Sequence, residues 1–468
     1  MAARRPNIVL ILADDMGYGD FGAFGDGSPQ TPAIDGLIAA GTCLTQHYAG
    51  SPVCAPSRAA LLSGRYAHRT GAVDTLEARG LDRLALRERT IADRFRAAGY
   101  ATGLVGKWHL GAIDPAYHPT ARGWDEFVGF RGGWSDYYDW RLDWGGAVRR
   151  GDGRYLTDVL TDAACDFIRR HRARPFLLHV AYNAPHFPFQ APEPDIEHFR
   201  ALGRLNTGLC VLYAMIRRMD QGVDRILETL GRAGLREDTL VLFTSDNGPQ
   251  LSGEGDLSIR RFNAWLSGQK GTVFEGGIRV PAVVRWPAGL PPGPRRSHAF
   301  VHMVDWVPTL LEAAGLGNGT AARESLPLDG RSVLGVLRGE PAGAPPPRFW
   351  QWNRYTPVGA SNAAVRDGDW KLLRPAIAEA MRLSPEDAAM DRRIKAEPEG
   401  FADIWRGPEP ARLVPPPPAP QLYNIAEDPY ERCDLAGAQP ERAARLLRAL
   451  ESWFEEVDAE RRRIGNGG

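Results

Sequence analysis

A chain of 468 residues is long enough for one large α/β unit and a smaller one, with a sizeable core. Its 57 basic side chains balance 57 acidic ones, so no global field favours nucleic acid or an anionic membrane, and any attraction for an anion has to be local. Five scattered cysteines (Cys43, Cys54, Cys165, Cys210 and Cys433) include no CxxC pair, which argues against both a disulfide framework and a zinc site.

The opening "MAARRPNIVLILADD" sets two arginines before an apolar run, as a leader does. The run is short, has no cleavage site and meets two aspartates at once, so a buried strand over 7–13 is the better reading. No stretch approaches the roughly 20 apolar residues of a membrane span. The expectation is a cytoplasmic protein with no membrane attachment, unless a leader has been removed. Next comes "SPVCAPSRAALLSG" (51–64), where Pro56 suits the first turn of a helix and Gly64 its end. Cys54 then sits at a helix N-terminus with Arg58 one turn on. Two readings stay open there: a thiol of lowered pKa, or a small buried apolar residue.

Further apolar runs read as buried strands at 101–106, 175–181, 239–245 and 281–286. Helical patterns lie between them at 90–99, 156–171 and 212–234. Such alternation predicts a mostly parallel sheet with helices on both faces, over residues 1–340. From 341 to 468 the segments become shorter and more polar and end in an amphipathic helix, which predicts a smaller α+β unit with an antiparallel sheet. Within it, 375–420 is rich in Ala, Pro and charge and reads as an insertion with the composition of a mobile excursion.

Ligands of α/β sheets bind beyond the carboxyl ends of the strands. Asp14 and Asp15 follow the first strand, and Asp246 and Asn247 follow the one at 239–245. Each pair alone is an ordinary turn or cap. Together, four oxygen-bearing side chains suit a hard cation such as Ca²⁺, with Mg²⁺ as runner-up. Other ends are basic: Lys107 and His109, which an extended backbone points to one side, His186 between two prolines, and Lys270 among glycines. A cation, a thiol and these groups with Arg58 describe a pocket for a small multivalent oxyanion ester.

These residues carry a family resemblance. "CAPSRAALLSG" (54–64) resembles the type I sulfatase signature, and "PNIVLILADDMGYGD", "GKWHLG", "FTSDNG", "KGTVFEGGIRVP" and "LYNIAEDPYERCDLA" resemble that family's blocks in order, across most of the chain. The resemblance implies an alkaline-phosphatase-like fold and hydrolysis of a sulfate monoester on an aryl or carbohydrate substrate. It implies that a maturation enzyme oxidises Cys54 to Cα-formylglycine, whose hydrated form takes sulfate from the ester and then ejects it. It further implies that Asp14, Asp15, Asp246, Asn247 and the modified Cys54 hold Ca²⁺, that Arg58 and Lys107 hold the diol and sulfate, that His109 is the base, and that His186 and Lys270 bind sulfate and assist the leaving oxygen. The competing readings are a phosphonate monoester or phosphodiester hydrolase using the same formylglycine, a non-catalytic anion-binding protein with an unmodified Cys54, and a plain thiol nucleophile. The aromatic segment "RGGWSDYYDW" (131–140) reads either as a sugar-stacking element or as a packed loop.

Overall fold

The computed structural model describes residues 5–317 and 326–464. Asn7 and six apolar residues in a row, Ile8–Ala13, form β1 (Asn7–Ala13), and all are buried, as a strand covered on both faces requires. Then follow β2 (Thr42–Leu44), β3 (His47–Tyr48), β4 (Ala101–Lys107), β5 (Glu126–Phe130), β6 (Arg141–Trp144), β7 (Ala147–Arg150) and β8 (Phe176–Ala181). After these come β9 (Thr239–Ser245), β10 (Ala282–Arg285), β11 (Arg295–Ser297) and β12 (Val301–His302). The last four are β13 (Arg348–Gln351), β14 (Ala363–Asp367), β15 (Trp370–Arg374) and β16 (Gln421–Asn424).

One ten-stranded sheet runs in the order β11-β2-β10-β9-β1-β8-β4-β5-β6-β7. Its centre, β9-β1-β8-β4-β5, is parallel, as expected. Side-chain alternation along β1 divides the core. Val9, Ile11 and Ala13 pack toward the helices Leu156–His171 and Thr207–Arg232, while Ile8, Leu10 and Leu12 pack toward Cys54–Ser63, Ile91–Ala97 and Trp306–Ala313. Each such Leu or Ile contributes about 1.5–3 kcal/mol by leaving water.

The flanks are mixed, with β11 parallel to β2 and the other flanking pairs antiparallel. β10 runs against both β9 and β2, because the stretch between β9 and β10 holds no helix long enough for a parallel crossover. The hairpin β6–β7 turns at Gly145 and Gly146, with φ of 61° and 89°, which suits a two-residue loop that only glycine adopts at low cost. The helix Thr207–Arg232 starts earlier than the apolar pattern implies, because Asn206 caps it by accepting a hydrogen bond from Leu209 N at 2.8 Å.

A second sheet, β13-β14-β15-β16, is antiparallel throughout. One face carries Val365, Leu372 and Leu422 against Leu446, Leu450 and Trp453 of the helix Pro440–Arg462. The other face carries Trp350, Ala364 and Leu373 against Tyr48, Val273 and Ile278 of the larger unit. The stretch 375–420 contains a helix, Pro385–Ala396, capped by Ser384. Asp387 of that helix is gripped by Arg79 Nε at 2.8 Å and by the Tyr355 hydroxyl at 2.8 Å, so the segment is tied down rather than free.

Between the sheets lies a buried ionic knot. Lys371 Nζ reaches Glu275 Oε1 at 2.9 Å and Glu431 Oε1 at 2.8 Å, and all three side chains are hidden from water. Removing the cation alone strands two buried carboxylates, a type of change that costs about 3–5 kcal/mol. Lys371→Met is therefore expected to lower the unfolding free energy by about that amount, read as a shift of the urea midpoint.

Candidate active site

The carboxyl ends of β1, β4, β8 and β9 meet at one edge. Asp14 and Asp15 follow β1, Lys107 closes β4, His186 lies beyond β8, and Asp246 and Asn247 follow β9. Cys54 is the first residue of the helix Cys54–Ser63, all of whose residues are buried. Asp15 and His109 have φ of 67° and 58°. Residues other than glycine are uncommon in that left-handed region, and they gather at functional sites. At Asp15 the bend lets two consecutive aspartates face one point, where a continuing strand would part them. The same device delivers His109. The extended backbone expected from Lys107 to His109 is absent, since β4 stops at Lys107 and the chain turns.

Charges interlock at this edge. Lys107 Nζ donates to Asp14 Oδ2 at 2.6 Å, and Arg58 Nη2 lies 3.6 Å from the same oxygen. Arg58 also holds Asp246 through Nε at 2.9 Å and Nη2 at 2.7 Å. Asp15 accepts from Lys270 Nζ at 2.7 Å and from Asn247 Nδ2 at 2.7 Å, with His186 Nε2 at 3.8 Å. Burial, helped by Asp14, pushes Asp246 up to about 6. Burial also opposes the charge on Asp15, but the Lys270 ammonium beside it, with the Asn247 amide, outweighs that and holds the carboxyl below the ordinary range. His109 and His186 are kept well below the usual imidazole value by burial, reinforced by Lys107 for the first and Lys270 for the second. Both rings are therefore neutral at pH 7.

Burial pushes the Cys54 thiol up, against the pull of Lys107 and Lys270. The Cys54 side chain is buried and Arg58 is committed to Asp246 and Asp14, so Arg58 does not lower this thiol's pKa. Two oxygens are left over. Asp14 Oδ1 and Asn247 Oδ1 are buried and accept no hydrogen bond among the described residues. Orphaned acceptors amid three carboxylates fit a hard, oxygen-binding cation. The atoms of Asp14, Asp15 and His186 lie within 4.8 Å of one another and form an alternative set. The oxygen set suits a hard cation better, because such a cation prefers oxygen to imidazole.

Cys54, His109, His186 and Lys270 open into one cavity of about 380 Å³. A family model described as Sulfatase matches residues 6–316. The chain belongs to the sulfatase family. Arylsulfatase A of Homo sapiens is 31% identical to this sulfatase, over 98% of this chain and 89% of the relative. Arylsulfatase J of Mus musculus is 30% identical over 95% and 75%, respectively. Among solved structures, Ps i-CgsB in complex with k-i-k-neocarrahexaose superposes with a TM-score of 0.79 at 29% identity, covering 96% of this chain and 93% of that one. A phosphonate monoester hydrolase of Agrobacterium radiobacter shares the fold, with a TM-score of 0.60 at 22% identity over 98% of this chain and 96% of that one. This sulfatase is accordingly a hydrolase of sulfate esters.

All ten side chains singled out in the sequence meet at this edge of the sheet, yet the cavity has walls that reading did not find. Thr75, Trp352, Arg354 and Lys395 line it, and Glu77 Oε1 lies 3.4 Å from His109 Nε2. Of "RGGWSDYYDW", Gly133 and Trp134 reach the cavity. Tyr137 and Trp140 are core, and the Tyr137 hydroxyl donates to His186 O at 3.0 Å, so the segment both lines and braces the site. A signal for Trp134 existed in that aromatic run; Arg354 and Lys395 had none, being ordinary charges far along the chain. In native protein whose position 54 is still cysteine, iodoacetamide is expected to alkylate the exposed Cys433 well before the buried Cys54. Peptide masses over a time course check the order.

Proposed function

We propose that this sulfatase works through formylglycine made from Cys54 by a maturation enzyme, beside a divalent cation held by Asp14, Asp15, Asp246, Asn247 and the modified residue. Ca²⁺ is the first choice and Mg²⁺ the second. The observation that carries this reading is the meeting of Cys54 with two orphaned acceptor oxygens, four buried basic groups (Arg58, Lys107, His109 and His186) and the half-buried Lys270. The cation supplies charge stabilisation for sulfate oxygens, and formylglycine supplies the hydroxyl that attacks sulfur. The chain's own residues do the rest. Lys107 and Arg58, anchored on Asp14 and Asp246, hold positive charge behind the reacting group. Neutral His109, with Glu77 Oε1 3.4 Å from its Nε2, would take the proton whose loss at the modified residue releases sulfate. Burial lowers the proton affinity of Lys270, but Asp15 more than restores it, so Lys270 enters the reaction protonated and serves the leaving oxygen. His186, its Nδ1 turned to Phe187 O, points Nε2 at the ester, where substrate negative charge favours its protonated form.

The deciding experiment is the mass of the peptide containing position 54 together with sulfate release. Conversion makes that peptide about 18 Da lighter, and such protein is expected to release sulfate from an aryl sulfate faster than it cleaves an aryl phosphonate. An intact thiol in active protein overturns the reading, as does a strong phosphonate preference. Lys107→Ala is expected to lower kcat/KM by about 10²–10³. Chelation is expected to lower the melting temperature and Ca²⁺ to restore it in the parent protein but not in Asp246→Asn. Calorimetry reads the shift, and stoichiometric zinc by elemental analysis would contradict the assignment.

A further inference from the structure

Among the described residues lining the catalytic cavity there is no carboxylate, yet there are three full cations: Lys270, Arg354 and Lys395. Lys270 belongs to the centre already described. The other two come from later in the chain, Arg354 from the loop after β13 and Lys395 from the helix Pro385–Ala396. Both are tethered to one turn. Arg354 Nη1 donates to Asp74 Oδ1 at 3.0 Å and to Thr75 Oγ1 at 2.8 Å, and Lys395 Nζ donates to Thr75 O at 3.0 Å and pairs with Asp391. Asp74, Asp391 and Glu77, whose Oε1 lies 4.0 Å from Lys395 Nζ, do not line the cavity, and Nε and Nη2 of Arg354 have no partner among the described residues. The guanidinium also stacks on Trp352 at 5.1 Å, which fixes its plane. With Trp134 and Phe187, Trp352 gives the cavity aromatic faces against which a sugar ring packs.

Pre-positioned cations facing an acid-free cavity call for an anion, and the scissile sulfate is already served by Arg58, Lys107 and Lys270. We propose that Arg354 and Lys395 bind a second anionic group, so that the preferred substrate is a sugar bearing the sulfate to be removed and a further sulfate or carboxylate. This rests on the catalytic reading above.

The test compares the unsubstituted enzyme with Arg354→Gln and Lys395→Met, each shown by peptide mass to be converted at position 54. Sulfate release is measured on a neutral sugar monosulfate, on the same sugar with two sulfates, and on one carrying a sulfate and a carboxylate. The unsubstituted enzyme is expected to prefer at least one doubly charged sugar by about tenfold or more in kcat/KM, and each substitution to shrink that preference toward one. Which of the two is preferred identifies the second anion as sulfate or carboxylate. Because the readout is a ratio between substrates, loss of folded enzyme cancels. No preference in the unsubstituted enzyme, or a preference that survives both substitutions, overturns the proposal. Release from an aryl sulfate but from none of the three sugars likewise overturns the proposal, whereas release from neither, despite full conversion, overturns the catalytic reading itself.

Discussion

The centre of this molecule depends on a single buried charge, that of Asp14. Its Oδ2 faces both Lys107 and Arg58 at the edge of the parallel sheet, and none of the three has access to water. Burying an ion costs several kcal/mol, and only close opposite charges offset it. The pairs form because β1, β8 and β4 are neighbours in register, so that the residue after one strand meets the last residue of another two strands away. The parallel sheet is thus more than a support for the site. It is the device that makes a dense cluster of charges tolerable.

That cluster also explains why the two histidines differ from free imidazole. Each sits beside a lysine in a dry enclosure, so each is neutral until something negative arrives. The pocket therefore presents its cations first and its proton acceptors second. Such an order suits an ester that binds through sulfate oxygens before any proton moves.

Much of this was legible in the chain. The strands Asn7–Ala13 and Thr239–Ser245 and the helix Leu156–His171 have the bounds that apolar runs and turn residues mark out. The charged residues were legible for the same reason, since each follows a recognisable strand or opens a recognisable helix. Strand direction was not: "PAVVRW" looks the same whichever way it runs, and only the missing crossover helix betrays that β10 is reversed. The bend at His109 was hidden as well, because left-handed backbone at a histidine leaves no compositional mark. Thr75, Arg354 and Lys395 were out of reach altogether. They meet through packing of 375–420 onto the turn at 77–79, in contacts such as Arg79 with Asp387, which link residues some three hundred positions apart.

The layout separates two kinds of inheritance. The matched family region ends at residue 316, whereas Trp352, Arg354 and Lys395 lie past it. The family model therefore speaks for the bond that is broken and does not reach these three residues of the cavity wall. A lineage built this way can change its diet by rewriting one wall of the cavity, without disturbing the buried charges on which the reaction runs.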